Sequence, residues 1–286
     1  MMTPQIARDI SYAQMALTRS GRTVIRTMEA LSGRARLMKR ARGYDLDVAD
    51  GQNFWSVMMA RYGLKLEIVS GALSNIPRDR PVILVANHPY GILDGLVMGH
   101  ILSETRGTFQ ILANQVFRKA EDLHDVVLPI SFDDTREAQA LNLATRRSAI
   151  EKLGQGGAIG IFPGGAVSTS ARPFSRPLDP GWRGFTARMV ARSDAVVVPV
   201  FFEGHCSRMF QLASHLHSTL RAGLLIREFK ARVDAPVRVH IGAAIERDQM
   251  APLTGDSKSL MAFLRAKTYE LSPTPVDACS VGYEWD

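Results

Sequence analysis

A chain of 286 residues with 46% hydrophobic content has enough material for one large α/β domain with a buried core, with or without a helical appendage. Its two cysteines, Cys206 and Cys279, lie far apart, which argues against a disulfide framework or a zinc cluster and makes a reducing compartment the default. The net charge of +7 is carried entirely by residues 1–42, where nine basic side chains face only Asp9 and Glu29.

That basic segment interleaves its arginines with Ile6, Ile10, Met15, Leu17, Val24, Ile25, Met28, Leu31 and Leu37, and it reads as helical. Two readings stand side by side. It rests on an anionic membrane surface, where each Lys or Arg is worth about 1 kcal/mol, or it is a solvated arm packed on its own domain. Nucleic acid is disfavoured, because no zinc finger, RNP-type aromatic motif or helix-turn-helix pattern is present. The first residues lack the basic-then-apolar layout of a signal peptide. No apolar run reaches the ~18–20 residues of a membrane span. The expected location is peripheral, on the cytoplasmic face of the inner membrane.

Residues 1–62 form the expected N-terminal basic helical region, broken near Gly43 and Asp50-Gly51. Residues 63–286 form the expected α/β domain. Over 63–245 short apolar runs alternate with helical patterns, which predicts a mainly parallel or mixed sheet flanked by helices. The expected strands are 64–69, 82–87, 109–113, 126–130, 157–162, 195–202 and 236–241. A helix is predicted over 136–153, and a last one over 257–272, stopping before Pro273. Gly and Pro gather in GQGGAIGIFPGG (154–165) and in STSARPFSRPLDPGWRG (168–184), a loop long enough to be functional or mobile.

The stretch VILVANHPYGILDG (82–95) begins as a buried strand and then breaks. His88 falls at the carboxyl end of that strand, where open α/β sheets bind ligands. Asp94 follows after five intervening residues. On a continuous helix two such residues would diverge by about 240°. They meet only if the segment turns, and Pro89 and Gly91 supply turn chemistry. A carboxylate on one imidazole nitrogen fixes the tautomer and leaves the other nitrogen free to take a proton from a hydroxyl. No G-x-S-x-G elbow, Walker loop or H-E-x-x-H accompanies the pair. A base without an enzyme nucleophile suits direct attack by a substrate hydroxyl on an activated acyl group. The plainer reading is a turn histidine, with Asp94 as helix cap.

NHPYGILDG (87–95) resembles the first block of the lysophospholipid (glycerolipid) acyltransferase family, whose hallmark is histidine, four residues, aspartate. A branch with hemolysin-like proteins and ornithine-lipid acyltransferases reads NHP-aromatic-G-x-LDG, the form seen here. FQILANQVFRKAEDLHDVVLPI (109–130) resembles the second block, IFPGGAVSTS (161–170) the FPEG-type block, and GWRGF (181–185) with VVVPVFFEGHCSRMFQ (196–211) the late blocks. The resemblance spans roughly residues 65–245. It implies an acyltransferase of glycerolipid type, with His88 as base, Asp94 as its orienting partner, and an acyl thioester of coenzyme A or acyl carrier protein as co-substrate. It implies a lyso-lipid acceptor and no metal or redox cofactor. Candidate substrate-binding residues drawn from these blocks and their loops are Asn87, Gly91, Phe162, Pro163, Gly164, Gly165, Arg172, Arg176, Glu203 and Arg208.

Two departures from the common pattern stand out, and the second bears on the acceptor. The spacer between His88 and Asp94 is five residues rather than four, so the turn differs. Gly164 and Val167 stand where the common block carries glutamate and arginine, and the family links that arginine to the acceptor phosphate. Valine makes no bidentate phosphate contact, which argues for a lyso-lipid with another head group, such as a lyso-aminolipid. Arg172, Arg176 or Arg208 are the candidates to replace the lost charge.

The remaining residues have bland readings. Gly164-Gly165 reads as a strand-to-helix turn, with a phosphate or oxyanion nest as the alternative. Glu203 and Arg208 read as a surface ion pair or cap, or as lining the acceptor site. Trp182 and Phe185 read as loop anchors, His215 and His217 as exposed helix residues, and Cys206 as structural. The competing functions are a non-catalytic lipid-binding protein and a thioesterase that uses water as acceptor.

Overall fold

The computed structural model describes residues 11–16, 18–114, 117, 121–131, 135–277 and 280–284. Readings placed on Ile6, Arg8, Asp9, Ile10, Leu17 and Cys279, and on most of 115–120, lie outside the described residues.

Among the described residues a 3-10 turn (Tyr12–Met15) is followed by four α-helices, α1 (Arg19–Leu31), α2 (Arg34–Ala41), α3 (Tyr44–Ala49) and α4 (Phe54–Arg61). The breaks at Gly43 and after Ala49 follow the sequence expectation, and a further one at Gly33 does not. Helix α1 is amphipathic: it buries Ile25 and leaves Arg19, Arg22 and Arg26 exposed. Ile25, Leu37, Tyr44 and Trp55 belong to the same buried cluster as Leu84 and Val198 of the sheet, so these helices pack on its inner face.

The strands are β1 (Lys65–Ser70), β2 (Val82–Ala86), β3 (Phe109–Asn114), β4 (Val127–Ile130), β5 (Ala158–Ile161), β6 (Thr169–Ser170), β7 (Pro177–Leu178), β8 (Val196–Phe202) and β9 (Pro236–Ile241). Seven of them form one mixed sheet in the order β1-β9-β8-β2-β5-β3-β4, while β6 and β7 make a separate ribbon. From β4 to β8 all neighbours are parallel, β9 runs antiparallel to β8, and β1 runs parallel to β9. All seven expected strands are present. The α/β class with a mixed, helix-flanked sheet is what the alternating pattern predicts.

Strand β2 explains why its run is apolar without alternation. Ile83 and Val85 face one cluster with Ile159, Val197 and Leu264, whereas Val82, Leu84 and Ala86 face the other with Met98 and Ile101. Successive side chains point to opposite faces, and both faces are covered. Each large aliphatic side chain so buried contributes about 1.5–3 kcal/mol.

The covering helices are α5 (Ile92–Thr105), α6 (Arg136–Gly154), α7 (Phe185–Ala191), α8 (Arg208–Leu216), α9 (Ser218–Lys230), α10 (Arg247–Met250) and α11 (Ser257–Tyr269). Thr135 caps α6 by accepting from the Ala138 amide at 3.1 Å. Asp256 caps α11, which ends at Tyr269, three residues short of the sequence expectation. Among the described residues no helix is long and apolar enough to cross a membrane.

Candidate active site

The carboxyl end of β2 leads into the site. Asn87 continues the strand with its side chain: Oδ1 accepts from the Phe202 amide at 2.7 Å, and Nδ2 donates to the Phe202 carbonyl at 2.9 Å. This buried clamp locks the ends of β2 and β8 together, so its amide is spent on the fold. The next residue is His88.

The turn between His88 and α5 is drawn closed by Asp94. One oxygen, Oδ2, accepts from the amides of Tyr90 at 2.7 Å and Gly91 at 3.0 Å, which caps the first turn of α5. The same oxygen lies 3.0 Å from His88 Nδ1. Asp94 therefore caps the helix and also approaches the imidazole, so the two alternatives weighed from the sequence are compatible in space. The contact is close but not aligned as a hydrogen bond, since neither Nδ1 nor Asp94 Oδ1 has a partner with acceptable geometry. Burial pushes the Asp94 carboxyl above its ordinary range, and His88 and the two amides act against that shift.

Gly91 makes the turn possible. Its backbone sits at φ 81° and ψ −119°, a region that side chains rarely enter, and an added Cβ would lie 3.3 Å from Tyr12 Oη and from Val167. The Gly91→Ala variant is expected to lose about 1–3 kcal/mol of stability and to move His88 away from Asp94, because the two meet only through this turn. Denaturant melts and a crystal structure of the variant check both.

The His88 ring stacks on Phe162, with centroids 4.3 Å apart and planes 25° off parallel, and its side chain keeps 18% exposure. Phe162 ends the segment after β5. Its carbonyl accepts from the Gly165 amide at 2.9 Å, so Pro163 and Gly164 form a tight turn. Gly164 is buried, and a Cβ there would lie 3.1 Å from Asp179 Cβ. The missing side chain at 164 is what lets Asp179 approach.

Asp179 was not singled out from the sequence. It is fully buried, and it organises the site. Oδ1 accepts from the His88 backbone amide at 3.0 Å and from Ser168 Oγ at 2.6 Å, while Oδ2 accepts from Trp182 Nε1 at 3.0 Å. The Ser168 amide in turn donates to the His88 carbonyl at 2.8 Å. Both backbone groups of His88 are thus held by the 168–184 loop, which is pinned by the β6–β7 ribbon and by Trp182. The only local sign was an aspartate between two prolines beside a tryptophan, a pattern that also suits an ordinary turn.

Arg176 and Glu203 both line a cavity of about 270 Å³, together with Asn87, Ser168, His205 and Tyr269. The cavity adjoins the backbone around His88, although the His88 ring is not part of its wall. Arg176 is braced by Ser272 Oγ and by the carbonyls of Thr274 and Pro275. Glu203 does not pair with Arg208. It accepts from His240 at 2.7 Å and from Arg238 at 3.2 Å, and His240 Nδ1 meets Ser70 Oγ at 2.7 Å. The cause is the antiparallel β8–β9 pairing, which local pattern does not reveal. Arg172 sits in the exposed turn of the ribbon and Arg208 at the exposed start of α8, and neither lines the cavity.

The bland readings fare unevenly. Trp182 anchors the loop in a buried cluster, with Phe185 packed against it. Cys206 is buried, donates to the Pro89 carbonyl at 3.2 Å, and has its thiol pushed well up by burial. The histidine pair needs correction. His215 is half-buried and edge-on to Tyr283, because the C-terminal tail folds across α8, while His217 caps α9 by accepting from Thr219. No group of three potential metal ligands occurs among the described residues.

The N-terminal segment reaches this site. Tyr12 is buried, its phenol oxygen lies 3.3 Å from where a Cβ would stand at Gly91, and burial raises its pKa above the ordinary value. Buried Glu29 of α1 holds that segment in place, accepting from the Tyr12 amide at 2.6 Å and from Ser11 Oγ at 2.7 Å.

Comparison with known proteins bears on the same region. A family model described as acyltransferase matches residues 52–278. A curated protein of Phocaeicola vulgatus, lyso-glycine lipid O-acyltransferase, is 26% identical over 161 residues, covering 56% of this chain. The chain spans about half of that relative's length, 54%. Among solved structures, the 1-acyl-sn-glycerophosphate acyltransferase PlsC of Thermotoga maritima aligns with a TM-score of 0.43 at 19% identity, covering 78% of this chain and 83% of that one. The family match takes in His88, Asp94, Asp179 and both walls of the cavity, and it shows that the chain belongs to the acyltransferase family.

Proposed function

We propose that this protein is an O-acyltransferase that moves a fatty acyl group from a thioester of coenzyme A or acyl carrier protein to the hydroxyl of a lyso-lipid. The imidazole nitrogen turned away from Asp94 takes the hydroxyl proton as the oxygen attacks the thioester carbonyl. Collapse of the tetrahedral intermediate breaks the carbon–sulfur bond, and the proton passes from the imidazolium to the leaving thiolate. Phe162 holds the ring by stacking, and Asp94, 3.0 Å from Nδ1, stabilises its charged form. The observation that carries this reading is the 3.0 Å approach of Asp94 to a histidine that is stacked and partly exposed at the end of β2.

The acceptor carries an amino-acid head group. Three observations support this. Val167 is buried where the resembling block has arginine. The adjoining cavity presents one cation, Arg176, and one anion, Glu203, which matches a zwitterion better than a phosphate. The curated relative is named for a lyso-glycine lipid. The protein works as a peripheral enzyme on the cytoplasmic face of the inner membrane, with the basic face of α1 towards anionic lipid.

The test is incubation of purified protein with labelled acyl-CoA or acyl carrier protein and a panel of lyso-lipids. Transfer to lyso-ornithine or lyso-glycine lipid above that to lysophosphatidate is expected. Acyl release that is indifferent to acceptor would point to a thioesterase, and lipid binding without turnover to a non-catalytic binder.

A further inference from the structure

Helix α8 directs apolar side chains to opposite sides. Phe210 and Ala213 are buried, whereas Met209, Leu212 and Leu216 are 44%, 40% and 76% exposed. Those three are spaced i, i+3 and i+7, so they form one outward stripe on a helix whose inner face is already packed. The β6–β7 ribbon packs on the inner side of the same helix, tied to α8 by the Ser170 amide donating to buried Gln211 Oε1 at 2.9 Å, and its turn projects into water. At that turn Phe174 is 77% exposed at φ 71°, a backbone region that bulky residues rarely adopt. The turn is fixed by Ser175 Oγ, which bonds to both the amide and the carbonyl of Arg172. Its effect is to hold an aromatic ring out in water.

The charge carried by these two segments themselves is of one sign. Segments 168–178 and 204–227 contain no aspartate or glutamate. Arg172, Arg208 and Arg227 are exposed there, and Arg227 Nη1 lies 3.1 Å from Met209 Sδ. An apolar stripe with a protruding aromatic, rimmed by guanidinium groups, complements a surface that is anionic outside and apolar beneath.

We propose that the ribbon tip and the outer face of α8 form a docking surface for an anionic lipid bilayer, separate from the basic face of α1. The ribbon that carries Phe174 also leads into Ser168 and Asp179, so docking would set the cavity and His88 beside the lipid. The inference rests on the lyso-lipid reading for its purpose, but docking is measured without turnover.

The experiment uses the full chain with phosphatidylcholine vesicles, with and without phosphatidylglycerol. The triple variant Phe174→Ser, Leu212→Ser, Leu216→Ser is expected to lower co-sedimentation with the anionic vesicles by at least about tenfold, with an unchanged melting temperature. Val24→Ser with Leu31→Ser on α1 serves as the comparison and is expected to lower it less. In a Phe174→Trp variant, brominated lipid is expected to quench added fluorescence. Undiminished vesicle binding by the triple variant, or no quenching at position 174, would overturn the proposal. So would conversion of a dimer into a monomer by the triple variant, because the face would then belong to a second copy of this chain. Docking in the absence of any acyl transfer would leave this inference standing and sink the enzymatic one.

Discussion

Replacing His88 by alanine is expected to lower acyl transfer by about 10²–10⁴-fold while the melting temperature stays close to that of the unmodified protein. The His88 amide and carbonyl stay bonded to Asp179 and Ser168, so the backbone groups that hold the turn together remain paired. The companion variant Asp94→Asn separates charge from shape. Its amide oxygen can still accept from Tyr90 and Gly91, but it cannot stabilise an imidazolium, so activity is expected to fall within the same range. Stability should move the other way. Burial raises the Asp94 carboxyl pKa, so the folded state holds that proton to higher pH than the unfolded chain does. The group's contribution is therefore most favourable in acid and declines as pH rises from the unfolded carboxylate value through the raised folded one. Asparagine removes that pH-dependent loss. Denaturant melts at neutral pH should find the variant as stable as the parent, or more so, and a strongly destabilised Asp94→Asn would contradict this account of the buried carboxylate.

Asp179→Ala is expected to cost about 3–5 kcal/mol of stability, because the His88 amide, Ser168 Oγ and Trp182 Nε1 lose their acceptor at once and each buried orphan costs about 1–3 kcal/mol. A loss of that size also frees the 168–184 loop from His88. The milder Asp179→Asn keeps an acceptor for His88 and Ser168 but turns an N–H towards Trp182. For this variant the turnover number is expected to fall more than KM rises, since the lost Trp182 bond loosens the loop against His88, the base of the proposed mechanism, while the cavity stays formed. A rise in KM alone, with turnover intact, would mean that Asp179 serves acceptor binding rather than the placing of His88.

The contrast between Asp94 and Asp179 shows where sequence reading succeeds. Asp94 was legible because it lies within one turn of His88, at a spacing with few structural solutions. The strands were legible for a similar reason, since runs such as VILVA and VVVPVFF need no distant partner to be read as buried. Asp179 lies 91 residues from the amide it accepts, and nothing in its neighbourhood names that partner. Glu203 is singled out in the sequence with Arg208 as its partner, whereas its partners His240 and Arg238 arrive from β9, whose antiparallel placement beside β8 is a property of the whole sheet. The helix break at Gly33 was missed because glycine inside a basic helical pattern is locally tolerable.

Tyr12 bears on how deletion experiments on this chain are interpreted. A shortened protein that starts after residue 12 would lose Arg8 and Asp9, and so no net charge, yet the Glu29 carboxylate would be left buried with two of its donors gone and the Tyr12 phenol would no longer pack beside Gly91. The turn that presents His88 would loosen as a mechanical consequence. Inactivity of such a fragment would therefore say nothing by itself about attachment to lipid. Neutralising the arginines of α1 one by one, with Tyr12 and Glu29 left intact, keeps the two effects apart.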